Sequence, residues 1–502
     1  MRGISKHFGS VEANKNVNLT IKSGEIVGLL GENGAWKTTL MNILYGLYQP
    51  DSGEILIDGS PVSIRSPRDS MELGIGMVHQ HFMLIQNHTV AENMVLGYKE
   101  SPAVFPQKSI KKTIKDFAKK YGFAVDPENM VWQLSAGQQQ RVEIVKTLLL
   151  GADLLILDEP TSVLTPPEVR ELFSILNSLK KEGHGIILIS HKLEEIMEIC
   201  DRAVVLRKGI MEGDTPISSV TKEELAKMMV GREVIFNFTR KEVKQGRKIL
   251  EVEDLYVTGD RGETAVSGVS FSVREGEIFG IAGVSGNGQK ELAEAITGLR
   301  KCESGKVIIE EEIVTNTNAR KIHDRGITHV PEERIKFGIV PNLFLYDNAV
   351  LKQHHRTPFS NFLFLDYPVI HEYAKDLVLD YQVSTPSIFS QMKALSGGNI
   401  QKLILGREIS GKPKLLVAAH PTYGLDVGAT EYIRNQLLKL REEGSAVFLI
   451  SEDLEEIYEL CDRTAVMFSG AFMGIVKPEK TGIEEMGLMM AGSLHKTAEA
   501  DQ

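Results

Sequence analysis

This chain is written twice over. Leu134-Ser-Ala-Gly-Gln-Gln-Gln-Arg returns as Leu395-Ser-Gly-Gly-Asn-Ile-Gln-Lys, and Leu154-Leu-Ile-Leu-Asp-Glu-Pro-Thr as Leu415-Leu-Val-Ala-Ala-His-Pro-Thr, each 261 positions on. His191-Lys-Leu-Glu-Glu-Ile-Met-Glu-Ile-Cys-Asp-Arg and Glu452-Asp-Leu-Glu-Glu-Ile-Tyr-Glu-Leu-Cys-Asp-Arg keep that register, as do the stretches that begin at Glu223 and Glu484. A glycine loop from Gly31 matches one from Gly283 at a spacing of 252, so an insertion lies between the loop and the Leu-Ser segment. A period this long marks a duplicated domain, not a solenoid.

The 502 residues divide into two units that can each bury a core. We read 1–235 as the first domain, 236–248 as a polar linker, 249–495 as the second domain and 496–502 as a tail. The charge run from Arg240 to Lys248 reads as solvated. The second domain opens on a full strand at Ile249-Leu-Glu-Val-Glu-Asp-Leu, whereas the first begins abruptly at Met1, so its first strand reads as truncated.

Gly31-Glu32-Asn33-Gly34-Ala35-Trp36-Lys37-Thr38 fits the pattern G-x-x-x-x-G-K-[ST] except at Trp36. That pattern folds backbone N–H groups inward around phosphate oxygens, with a helix N-terminus behind them. Lys37 adds a point charge and Thr38 a magnesium-ligating hydroxyl. The flanks agree: Ile26 to Leu30 is apolar enough for a buried strand, and Thr38 to Leu47 has helical spacing. Trp36 stands where a glycine would approach the phosphates and take positive φ. A side chain there costs roughly 1–2 kcal/mol, which predicts weakened rather than abolished binding.

Net charge is −10 with 25% charged residues and a sequence pI of about 5.8, an acidic balance that argues against nucleic-acid work. No apolar run is long enough to span a bilayer, and no apolar segment follows the N-terminal basic residues, so a cytoplasmic chain without secretory signal is expected. Cys200, Cys302 and Cys461 are odd in number and far apart, which speaks against a disulfide framework or zinc.

The order of phosphate loop, Gln80, Leu-Ser-x-Gly-Gln, a strand ending in Asp158-Glu159, and a strand ending before His191 resembles the ATP-binding-cassette ATPases. The resemblance runs through nearly the whole chain, twice. The tandem arrangement, His79-Gln80-His81-Phe82-Met83, Pro331-Glu-Glu-Arg and Pro421-Thr-Tyr-Gly-Leu-Asp look like the ATP-binding subunit of bacterial nucleoside and simple-sugar importers. This implies an α/β fold of two P-loop NTPase-type cassettes, each with an antiparallel β subdomain, a mostly parallel core and an inserted helical subdomain. The helical stretches Lys108 to Tyr121 and Tyr367 to Tyr381 suit that insert. It further implies ATP and Mg²⁺ as cofactors, two permease subunits and an extracytoplasmic substrate-binding lipoprotein as partners, and a peripheral place on the cytoplasmic membrane face.

By resemblance, one composite site takes ATP on Phe8, Gly31 to Thr38 and Thr39, and is closed by Ser396, Gly397 and Gly398 of the other cassette. Thr38, Gln80 and Asp158 hold Mg²⁺; Glu159 is the general base, and His191 contacts the γ-phosphate. Phe8 is the aromatic expected to stack on adenine. His79 and His81 lack a third ligand and carry no metal expectation. Ser135 and Ser396 each cap a helix whose next amides face an anion. The second site, built on Gly283, Gly286, Gly288, Gln289 and Lys290 with Ser135 and Gly137 opposite, is degenerate. Gln289 replaces the lysine, Lys290 the hydroxyl ligand, Ala419 and His420 the Asp-Glu pair, and Glu452 the histidine. Catalytic groups that act as a unit do not compensate for one another, so the second site is expected to be silent. The alternatives are a soluble cassette protein acting on ribosomes or DNA, and a catalytically silent regulatory subunit. Met228-Met229 and Met489-Met490 read as packing residues.

Overall fold

The computed structural model describes residues 1–9, 11–79, 82–96, 107–121, 126–161, 164, 166–233, 240–361 and 363–495. Two compact units divide between Val234 and Ile235.

In the first unit a six-stranded sheet runs in the order Ile210–Pro216, Arg202–Arg207, Ile26–Leu30, Gly185–Ile189, Leu154–Asp158, Ile75–Val78. All neighbours are parallel except the antiparallel edge strand Ile210–Pro216. Ile26–Leu30 and Gly185–Ile189 are buried at every position, as expected for parallel strands covered on both faces. An antiparallel sheet of Val11–Val17, Arg2–Phe8, Ser52–Ile57 and Ser60–Val62 lies beside it. The helices Val90–Val95, Gln107–Tyr121 and Ala136–Leu149 follow the strand Ile75–Val78.

The second unit repeats the plan. Its core sheet runs Ile327–Val330, Leu415–Ala419, Ala446–Ser451, Ile278–Ala282, Arg463–Phe468, Ala471–Val476, and its helical insert contains Leu345–Ala349, Tyr367–Asp380 and Gly397–Ile409. Phe271, on the antiparallel sheet, stacks at 5.2 Å on Phe279 and 5.4 Å on Phe448 of the core sheet, which seals the two layers. Met229 and Met489 are fully buried.

The repeated Cys-Asp-Arg now has a physical reason. Gly28 and Gly280 sit mid-strand, and a Cβ there would meet Cys200 Sγ at 3.2 Å and Cys461 Sγ at 2.7 Å. Asp201 and Asp462 accept from the N–H groups that open those strands, Ile26 and Ile278, both at 2.9 Å. Arg202 and Arg463 donate to Glu25 at 2.9 Å and Glu277 at 2.7 Å. The segment therefore clamps a helix end onto the central strand. Burial pushes both thiols up, so the cysteines act as packing residues.

Most of the run from Arg240 is exposed, as the solvated reading expects, but parts of it are bonded to the second unit. Arg240 donates to the Cys461 carbonyl, Lys241 pairs with Glu442 at 2.7 Å, and the Lys241 carbonyl accepts from Arg441 at 2.9 Å. Arg240 is largely covered, whereas Arg247 stays exposed and pairs with Glu275 at 2.9 Å and Glu310 at 2.6 Å.

Candidate nucleotide site

The strand Ile26–Leu30 hands the chain to a turn and then to the helix Lys37–Leu44. Lys37 is buried, and its ammonium donates back to the carbonyls of Gly31 at 2.6 Å and Glu32 at 3.1 Å. This bends the loop around its own lysine, and the Ala35 N–H closes the turn on the Glu32 carbonyl at 3.0 Å. Thr38 Oγ1 donates to Asp158 Oδ2 across 3.4 Å, so the hydroxyl and the carboxylate at the end of Leu154–Asp158 stand side by side.

Burial, and then the neighbouring Glu159 charge, push the Asp158 carboxyl up to about 6 against the pull of Lys37 and Thr38. Two oxygens this close, with the anion disfavoured by its surroundings, fit a divalent cation: a cation between them would reverse the cost of the charge.

Glu159 and His191 meet at the ends of adjacent strands, with Nδ1 to Oε1 at 2.9 Å. Burial would raise the Glu159 carboxyl, but the hydrogen bond and charge of His191, with Lys37 and Lys192 behind, hold it below its ordinary value. It is therefore an ionised acceptor at neutral pH. Glu159 takes a positive φ of 46°, which swings its side chain off the strand line toward the imidazole.

Trp36 takes φ 68° and ψ 26°, the left-handed conformation predicted for that position. The indole stacks on Phe8, with centroids 6.2 Å apart and 27° between planes, while Tyr48 packs edge-on to Phe8 at 5.3 Å. Asn14 Nδ2 donates to the Trp36 carbonyl at 3.4 Å. In the second unit Gly288 holds the same place at φ 100°, where a Cβ would lie 2.0 Å from the Ala265 carbonyl. The two loops thus share the left-handed conformation at this place, at φ 68° with the indole and φ 100° with the glycine. Phe8 is 38% exposed, so it is a surface aromatic beside the loop and not a buried strand residue.

The ABC transporter family model matches residues 14–162 and 266–423, more than half of the chain. The guanosine import ATP-binding protein NupO of Bacillus subtilis is 48% identical over 99% of this chain and 98% of its own length. The glucose import ATP-binding protein TsgD13 of Haloferax volcanii is 45% identical over 100% of this chain and 96% of its own. This chain belongs to the ABC transporter family. Within it, the chain is a tandem-cassette ATP-binding subunit of the importer class, a transport ATP hydrolase. Among solved structures, the complex of the archaeal ribosome recycling factor aABCE1 with stalk protein aP1 covers 98% of this chain and 92% of its own with a TM-score of 0.64 at 18% identity, which shows the fold alone.

The first cassette brings Lys37, Thr38, Asp158, Glu159 and His191 together. Gln80 and His81 lie outside the described residues. His79 packs edge-on to Tyr45 at 5.8 Å. In the second cassette Gln289 is buried and donates to the Val284 carbonyl at 3.1 Å, the acceptor that corresponds to Glu32; it copies one of the lysine's hydrogen bonds without its charge. Lys290, which stands where the hydroxyl ligand would be, lies 3.6 Å from Asp260. Burial lowers the His420 imidazole against the pull of Glu452.

Sequence reasoning passed over a buried carboxylate in each cassette. Glu195 Oε2 accepts from Thr161 at 2.7 Å and Ser190 at 3.0 Å, and Glu456 accepts from Thr422 at 2.8 Å. These bonds tie the segment after Asp-Glu to the segment around His191. The signal was present, because both Pro-Thr and Leu-Glu-Glu are repeated.

Proposed function

We propose that this protein is the ATP-binding subunit of a nucleoside importer. The observation that carries the reading is the convergence, in the first cassette, of Lys37, Thr38 and Asp158 with the Glu159–His191 pair. In this reading the loop Gly31 to Thr38 with Thr39 receives the phosphates, and Phe8 the base. Thr38, Gln80 and Asp158 would hold Mg²⁺, which would supply charge neutralisation on the phosphate oxygens. Glu159, ionised and held by His191, orients an attacking water and takes its proton. His191 holds that carboxylate in place and presents its other ring nitrogen to the γ-phosphate. Ser396, Gly397 and Gly398 close on the nucleotide of the opposite cassette. The second site, without charge, metal ligand or base, binds nucleotide without turnover if it binds it.

Residues His79 to Met83 and the guanosine-import relative support nucleosides as cargo; the glucose-import relative supports a second reading with a simple sugar. Partners are two permeases and an extracytoplasmic binding lipoprotein. No helix among the described residues is long and apolar enough to cross a membrane, which fits a peripheral place on the cytoplasmic face. The test is uptake by vesicles containing this chain, its two permeases and the binding lipoprotein: Mg-ATP-dependent guanosine accumulation, lost with Glu159→Gln, supports the reading. Accumulation of glucose but not guanosine moves the cargo to sugars, and no ATP-dependent accumulation of either defeats the importer reading.

A further inference from the structure

The two Leu-Ser helix tips are copies, yet a carboxylate sits directly on one of them and stands back from the other. Ser135 caps the helix Ala136–Leu149: its hydroxyl oxygen accepts from the Gln138 N–H at 3.3 Å, and its O–H donates to Glu168 Oε1 at 3.1 Å. The carboxylate reaches further along the tip, because a Cβ on Gly137 would stand 2.4 Å from the same Glu168 oxygen. Glu168 therefore covers the amides and hydroxyl that would otherwise meet a phosphate oxygen.

In the second copy the residue 261 positions on from Glu168 is Ala429. A Cβ on Gly398 would meet the Ala429 methyl at 3.2 Å and, further off, Asp426 Oδ2 at 3.8 Å, a carboxylate whose other oxygen is held by the Ala429 N–H at 2.8 Å. Ser396 Oγ accepts twice from Asn399, from its N–H at 3.4 Å and from Nδ2 at 2.9 Å, and among the described residues its own proton has no recorded acceptor. The charged group nearest this tip is the Arg334 guanidinium, 3.1 Å from where a Gly397 Cβ would stand and held by the Tyr423 carbonyl at 2.8 Å. Duplication thus supplies an internal control: the first tip has a carboxylate bonded to its cap serine, whereas at the second the nearest carboxylate, Asp426, stands back at 3.8 Å and a methyl and a guanidinium lie closer.

We propose that Glu168 is an internal anion that keeps nucleotide phosphate off the first signature, so that the chain admits a nucleoside triphosphate against the second signature alone. This rests on the reading that each signature helix closes on nucleotide. Gln289 lacks the charge of the lysine it replaces, and Glu168 adds negative charge on the first signature. Glu168 is a selectivity residue that decides which of two sites fills, and touches no reacting atom.

The experiment counts labelled ATP bound per full-length chain in the presence of Mg²⁺, in a Glu159→Gln background that prevents turnover. We expect about one per chain with Glu168 present, and a second binding event at least about tenfold tighter in Glu168→Gln and Glu168→Ala than in the parent. Glu168→Asp keeps the charge and stays near one, which separates electrostatics from packing. One ATP per chain in every variant, or two in the parent, overturns the role of Glu168 and leaves the first site standing. No ATP in any variant of a folded chain overturns the nucleotide reading and this inference together.

Discussion

Glu159 and His191 form a carboxylate–imidazole pair at 2.9 Å, and the positions that correspond to them in the second cassette hold the same two residue types exchanged, His420 and Glu452. The exchange puts an imidazole where a carboxylate must accept a proton. Glu159→Gln is therefore expected to lower ATP turnover by about 10²–10³-fold while ATP still binds. Turnover by the variant within a few-fold of the parent would assign hydrolysis to another group.

Trp36→Gly tests the loop. Relief of the left-handed strain, roughly 1–2 kcal/mol, is opposed by glycine's chain entropy, about 0.5–1 kcal/mol, and by loss of the Phe8 stack, about 0.5–1.5 kcal/mol. These terms cancel, so the melting temperature should shift little while ATP turnover rises. Equal turnover in both proteins, measured at saturating Mg²⁺, would show that the indole does not hinder the phosphates.

Asp158 sets an acid limit. Its carboxyl must be ionised to hold a cation, and burial with the Glu159 charge raises it to about 6. Hence kcat/KM for ATP should fall as pH drops through about 6, approaching tenfold per pH unit below that. A profile flat down to pH 5 would contradict the assignment.

Glu143 gives a stability test away from the chemistry. Burial pushes its carboxyl up to about 7, although the Met83 N–H and Lys146 pull the other way. The folded chain then holds that proton more tightly than the unfolded chain, so its stabilising contribution is complete below the ordinary carboxylate range and is lost as pH rises through about 7. Relative to the parent, Glu143→Gln should gain on the order of 2 kcal/mol between pH 4 and pH 8 in denaturant titrations. An unchanged difference would place a counter-charge beside Glu143.

Much of this was readable before any coordinates. The spacing of 261 gave two units with matched strands, and Ile26 to Leu30 and Leu154 to Asp158 were visible as apolar runs leading into loop and acids. Local patterns carry such information because strand burial and helix capping are short-range. What stayed hidden depends on pairs without a pattern: Glu168 on Ser135 spans 33 residues, and Arg240 on the Cys461 carbonyl spans 221. The stack of Trp36 on Phe8 was equally invisible, since a ring's partner is chosen by the tertiary fold and not by its neighbours in sequence.

Gln289 reproduces one of the anchoring bonds of Lys37 while leaving out the ammonium. Architecture and electrical character at that spot are consequently separable: the rear half could shed its affinity for fuel over evolutionary time without ever passing through a collapsed loop, and the same route lies open in reverse to anyone wishing to re-electrify it.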